Sequence, residues 1–210
     1  DHSASSLPEG GLNNIDSAVD AAIEGGADAI VLHKGPVSYH FARTSWGRFV
    51  CHSSMSTIHG GSRSQDKITV SNPKESLSRG AIGVSGQVNL GDPAEPDMIL
   101  RMSKLTSEAL EVETPVLGMF YPRGPNLITD PSDPTKGVEH AARLAWELGC
   151  NVVKVPWTGS EESFRIVTSS VPIPVLVSGG AIEDEFSHIL ELVEQSINAG
   201  GSGVCIGRHV

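Results

Sequence analysis

The sequence predicts an α/β fold, a (β/α)8 TIM barrel incomplete at both ends, on three observations. Short apolar runs recur along the 210 residues. Several are approached through a similar glycine-led segment, and helical spacing fills several of the intervals between them. Strands that alternate with helices form a parallel sheet, whose central strands are buried on both faces and read as continuous apolar runs.

The strand candidates are ADAIVLH (27–33), RFVCHS (48–53), IGVSGQVN (82–89), PVLGMFY (115–121), NVVKVPW (151–157), PVLVSG (174–179) and SGVCIG (202–207). Between them, Ile15, Val19, Ala22 and Ile23 fall on one helical face. Val138, Ala141, Ala145 and Leu148 do the same, as do Phe186, Leu190, Val193 and Ile197. The segments GGADAIVLHKG, RGAIGVSGQVN, LGCNVVKVPW and AGGSGVCIGR repeat one design. In each, a glycine suited to a left-handed helix cap turns the chain into the next strand.

Asp1-His2 reads as the end of an eighth strand, and eight βα units in about 200–250 residues make a barrel. The rival, an open doubly wound sheet, carries an early phosphate loop, and neither GxGxxG nor GxxxxGK[ST] occurs here. Residues 1–210 are read as one domain. Both ends read as interrupted, because neither Asp1-His2 nor GRHV (207–210) resembles the polar linker in which domain boundaries usually fall.

Composition narrows the function. The chain is 39% hydrophobic and 19% charged, with a formal net charge of −10. That acidity argues against a nucleic-acid or anionic-membrane surface, but it permits local phosphate binding by a few well-placed donors. No apolar stretch has the length of a membrane span, and no signal-peptide pattern opens the chain. Cys51, Cys150 and Cys205 are far apart and form no CxxC pair, so buried, reduced thiols in a cytoplasmic protein are expected.

Barrel enzymes work at the C-terminal ends of their strands, and this chain places reactive groups there repeatedly. They include Asp1 and His2, His33 and Lys34, His52, Asn89, Tyr121 and Arg123, Lys154, Ser178 with Gly179 and Gly180, and Gly207 with Arg208. Lys154 stands out because Val152, Val153 and Val155 surround it. Burying an ammonium is costly, and a lowered pKa is the usual escape. A neutral amine attacks a ketone, and the protonated imine then draws electrons from the adjacent C–C bond. The competing explanation is a lysine paired with a buried carboxylate. Lys34, Lys67, Lys74, Lys104 and Lys136 are assigned to solvated loops, strand ends or helices.

Tyr121 can pass a proton at a strand end, or simply pack with its hydroxyl in water. The glycines after the last two strands suit a phosphate site and Arg208 favours that reading, although turn formation alone would also use them. Asp1 is a candidate proton relay beside Lys154. His33 can orient a substrate oxygen, and the pairs His33/His40 and His52/His59 follow no metal-ligand spacing, so no metal is expected.

DHS (1–3), GADAIVLHKG (26–35), VNLGDPAEPDMI (88–99), MFYPRG (119–124), HAARLAWELGCNVVKVPWTG (140–159), SFRIV (163–167), PVLVSGG (174–180) and GGSGVCIGRHV (200–210) follow in order. Together they resemble the archaeal-type class I aldolase family of the deoxyribose-phosphate aldolase-like superfamily, over nearly the whole chain. That family includes fructose-bisphosphate aldolase and 2-amino-3,7-dideoxy-D-threo-hept-6-ulosonate synthase. The resemblance implies a Schiff-base lysine at Lys154, a general acid/base at Tyr121 and an acidic partner at Asp1. It implies phosphate held by Ser178, Gly179, Gly180, Gly207 and Arg208; His33 and Arg123 are further substrate-binding candidates from their places at the strand ends.

A phosphorylated ketose is the expected substrate, with no cofactor and a homo-oligomer expected. The chain departs from the family pattern at Ser3, where a glycine is usual, at Trp157, where tyrosine is usual, and in VSGQVN, which lacks a histidine. LHKG (32–35) and HAARLAWELG lean toward the heptulosonate synthase branch. A sugar-phosphate isomerase and a non-catalytic sugar-phosphate-binding barrel are the remaining alternatives.

Overall fold

The computed structural model describes residues 6–7, 10–180 and 186–207. Its main feature is a curled seven-stranded parallel sheet. The strands are β1 (Ile30–Leu32), β2 (Phe49–His52), β5 (Ala81–Leu90), β6 (Val116–Pro122), β7 (Val152–Val155), β8 (Val175–Ser178) and β9 (Gly203–Cys205), paired in that order. Each falls on one of the seven expected runs. A short antiparallel hairpin, β3 (Ser54–Met55) with β4 (Ile68–Thr69), is inserted between β2 and β5. Its strands are only two residues long, too short to leave a period in the sequence.

The helices are α1 (Ile15–Glu24), α2 (Lys34–Thr44), α3 (Pro73–Ser78), α4 (Glu95–Glu111), α5 (Thr135–Glu147), α6 (Glu161–Ser169) and α7 (Phe186–Asn198). Local chemistry starts several of them. The Asn14 side chain accepts from the Ser17 amide at the head of α1, and Asn72 accepts from the Glu75 amide ahead of Pro73 in α3. The repeated glycines behave as expected: Gly26, Gly80, Gly149 and Gly200 take φ of 81°, 95°, 87° and 89° before β1, β5, β7 and β9.

Strand alternation then divides inside from outside. Val84, Val88, Val116, Phe120, Val153, Val155, Val175 and Val177 pack into one apolar layer with Met102, Leu105, Ala141, Ala145 and Phe164 from the helices. A smaller layer joins Val19, Leu32, Val37, Phe49 and Cys51. Fully burying each valine or phenylalanine contributes about 1.5–3 kcal/mol, so this outer layer fixes which residues must face the other way. Those are His33, His52, Ser85, Gln87, Asn89, Met119, Tyr121, Lys154, Leu176, Ser178 and Cys205, by period and register.

Two expected helical faces pack inward. Val19 is buried on α1, with Ile15 and Ile23 packed against the same layer, and Val138, Ala141 and Ala145 are buried on α5. The third does not. On α7, Phe186, Leu190 and Ile197 are 65%, 55% and 47% exposed, while Ile189 and Ser196 are buried. Helical spacing identifies an apolar stripe, but the docking angle on the sheet selects which side of it is covered. Asp1 and Arg208 lie outside the described residues, as does the expected eighth strand at Asp1-His2. Among the described residues, no helix is long and apolar enough to cross a membrane.

Candidate active site

Lys154 sits mid-strand on β7, aligned with Met119 on β6 and Leu176 on β8. Because Val153 and Val155 are held in the outer layer, its side chain enters the sheet's concave side and is only 4% exposed. No carboxylate pairs with it among the described residues. Its Nζ is instead hydrogen-bonded to the side chains of Tyr121 and Cys205.

This corrects the expected direction of its pKa. Burial lowers the ammonium, but Tyr121 and Cys205 together outweigh burial, and Lys154 stands above the ordinary lysine value. Cys205 differs from the buried thiol expected of it. Register places it opposite Ser178 on the inner face, half-buried. Cys150 fits the structural assignment, with its thiol pushed up to about 12 by burial.

Tyr121 reaches the same place from the end of β6, where Asn89 of β5 is its register partner. The Arg123 guanidinium lies 4.7 Å over the Tyr121 ring, and Arg123 Nε donates to Asn89 Oδ1 at 2.9 Å. Gly124 completes this corner through close approach. An added Cβ would lie 1.8 Å from the Gly91 carbonyl carbon and 2.0 Å from the Asp92 nitrogen. The Gly124 amide meanwhile donates to the Leu90 carbonyl at 2.8 Å. Gly124→Ala is therefore expected to cost about 1–3 kcal/mol or more through overpacking, read as a lower Tm. An unchanged Tm would show that the two loops separate freely.

His33 and His52 form the opposite wall. His33 Nδ1 donates to the His52 carbonyl at 3.0 Å, which fixes its tautomer and leaves Nε2 as the acceptor. Burial pushes His33 down to about 4 and His52 well below the ordinary histidine value, with the Lys67 charge adding to both effects. His52 Nδ1 lies 2.7 Å from Ser85 Oγ. His40 and His59 are remote in role: His40 is buried beside Arg43 on α2.

Lys67 was missed. It is 4% exposed, with Nζ donating to Ser56 Oγ at 2.7 Å. The 53–72 segment folds back over the sheet end through β3 and β4, and nothing local in SRSQDK announces that return. Burial, with Arg123 adding repulsion, pushes Lys67 down to about 8.

At the far side of Lys154, Ser178 closes β8, Gly179 is buried, and Gly180 takes a left-handed φ of 73°. Gly207 follows β9 and is half-buried. Trp157 does not face this group by contact; its ring packs 4.9 Å from Phe164 of α6.

The comparisons agree with this architecture. A family model described as DeoC/LacD family aldolase matches residues 1–210. A 2-amino-4,5-dihydroxy-6-oxo-7-(phosphonooxy)heptanoate synthase of Streptomyces griseus is 37% identical, covering 100% of this chain and 76% of the relative. A 2-amino-3,7-dideoxy-D-threo-hept-6-ulosonate synthase of Halobacterium salinarum is 31% identical, covering 95% and 74%. Among solved structures, an archaeal fructose-1,6-bisphosphate aldolase with its catalytic lysine bound to the carbinolamine intermediate superposes with a TM-score of 0.85. It is 25% identical and covers 100% of this chain and 84% of that one. Fold and relatives define a class I aldolase, an enzyme that works through a Schiff base. The chain belongs to the DeoC/LacD family of aldolases.

Proposed function

We propose that this chain makes or cleaves a C–C bond in a phosphorylated ketose, with Lys154 as the imine-forming residue and Tyr121 as the proton carrier. The observation that carries the reading is the buried Lys154 hydrogen-bonded to Tyr121 and Cys205. Lys154 Nζ, its proton passed to one of those partners, adds to the ketone, and water leaves to give the iminium. A proton then leaves the adjacent carbon for the Tyr121 phenolate, forming the enamine. The enamine carbon attacks an aldehyde, whose oxygen takes the proton from Tyr121 Oη. Water hydrolyses the iminium and frees Lys154.

Ser178, Gly179, Gly180, Gly207 and Arg208 hold the donor phosphate in this reading, and Asp1 and His33 line the reacting carbons. The Streptomyces relative's product carries a 6-oxo group, a 7-phosphate and a 2-amino carboxylate end. Transferred to this chain, that product joins a three-carbon phosphorylated ketone to a four-carbon aldehyde bearing the carboxylate. The heptulosonate synthase-like branch is therefore preferred over fructose-bisphosphate cleavage.

The reaction is placed in the cytoplasm, in a homo-oligomer whose state size-exclusion chromatography with light scattering would report. Borohydride reduction in the presence of dihydroxyacetone phosphate tests the chemistry. A reduced three-carbon adduct on the peptide containing Lys154 is expected, and an adduct elsewhere, or none on folded protein, would overturn the assignment.

A further inference from the structure

The two ring nitrogens of His33 are committed to different roles. A carbonyl oxygen only accepts, so the 3.0 Å contact with the His52 carbonyl puts the ring proton on Nδ1. The neutral ring then presents a bare lone pair at Nε2. The ring is kept neutral by its burial, at 8% exposure, and by the buried Lys67 ammonium, which opposes a second positive charge beside it. Among the described residues, none donates to His33 Nε2. Nor is the atom shut in, since the sealed and partnerless nitrogen among those residues is His40 Nε2.

This fixed acceptor lies on the side of the sheet where the lysine stands. Leu32 belongs to the outer layer, so the strand period sends His33 inward. Its ring centroid is 5.3 Å from that of His52, which in turn feels the charge of Lys154.

A lone pair so placed selects its ligand by elimination. A carboxylate or phosphate oxygen would meet it with another lone pair, and an ammonium group would meet the charge of Lys67. A hydroxyl donates without carrying charge. In the reaction proposed above Tyr121 serves the aldehyde oxygen, which leaves the hydroxyl on the donor carbon that becomes the nucleophile. We propose that His33 Nε2 accepts a hydrogen bond from this hydroxyl and so makes the site selective for a hydroxylated ketone donor. The inference rests on the reading of Lys154 as the imine-forming residue and adds what the donor must carry. A site built around a substrate hydroxyl rejects the analogue that lacks it, because the buried acceptor is then left unpaired.

The test compares two donors that differ by this one hydroxyl, dihydroxyacetone phosphate and hydroxyacetone phosphate. Both carry the ketone and the phosphate. Borohydride trapping on Lys154 over a range of concentrations gives a half-saturation value for each. In wild type, dihydroxyacetone phosphate is expected to be preferred by about tenfold, the usual reach of one hydrogen bond. His33→Asn retains an amide N–H for the His52 carbonyl but ends short of Nε2, and its preference should fall toward one. His33→Gln brings a carbonyl oxygen toward the Nε2 position and should recover part of the preference.

A merely structural role for His33 would weaken both donors together and leave their ratio at the wild-type value. That result in His33→Asn would overturn the proposal, as would equal half-saturation of the two donors in wild type. Thermal stabilisation by each donor gives the same ratio without covalent chemistry. If wild type is stabilised by both but neither is trapped on Lys154, the imine reading falls, and the ratio of the thermal shifts still decides the role of His33.

Discussion

Lys154→Ala is expected to lower kcat by about 10⁴-fold or more, equivalent to about 5 kcal/mol of lost transition-state stabilisation, and to abolish the borohydride adduct. Lys154→Arg separates chemistry from charge. It retains a cation between Tyr121 and Cys205 but offers no amine able to form the imine, so it should be as inactive as the alanine variant while remaining folded. Partial turnover in the arginine variant would reduce Lys154 to an electrostatic role. The raised pKa also fixes a stability window. A lysine whose folded value exceeds 10.5 contributes stability below that pH and loses it as the pH climbs through the folded value. Alkaline unfolding above about 10.5 should accordingly become less steep in Lys154→Ala.

The second large effect is expected from Tyr121→Phe. Removing one hydroxyl should slow turnover by about 10²–10⁴-fold, the usual reach of general acid–base catalysis, while dihydroxyacetone phosphate still forms a trappable adduct on Lys154. Exchange of the donor's carbon-bound proton in D₂O should slow in parallel. The substitution also removes one of the two groups that hold the Lys154 ammonium up against burial. The alkaline limb of the pH profile for imine formation should therefore move to lower pH. Turnover within a few-fold of wild type would remove Tyr121 from the proton path and leave Cys205 as the group to examine.

Much of this site is legible in the sequence because a strand's side chains alternate. Once Val153 and Val155 are read as core, Lys154 has only the other face, and the same step sends Asn89, Tyr121 and Ser178 inward. The glycines at 26, 80, 149 and 200 are equally local in origin, since a left-handed cap needs only its own residue. These features follow from period and backbone preference, which neighbours in the chain impose.

What tertiary structure alone decided are the contacts between distant segments. The 53–72 segment folds over the sheet and turns Lys67 from a surface residue into a buried charge. Cys205 becomes a partner of Lys154 only through two intervening strand pairings, and together with Tyr121 it reverses the direction that burial alone dictates for the lysine. The exposed stripe of Phe186, Leu190 and Ile197 shows the same division. Periodicity makes a helix face apolar, but which face is covered depends on how the helix lies against the sheet. Electrostatics and docking sum over everything nearby in space, whereas a strand or helix period is written in adjacent residues, so the sequence carried the scaffold and the lysine, and the fold decided their charge and company.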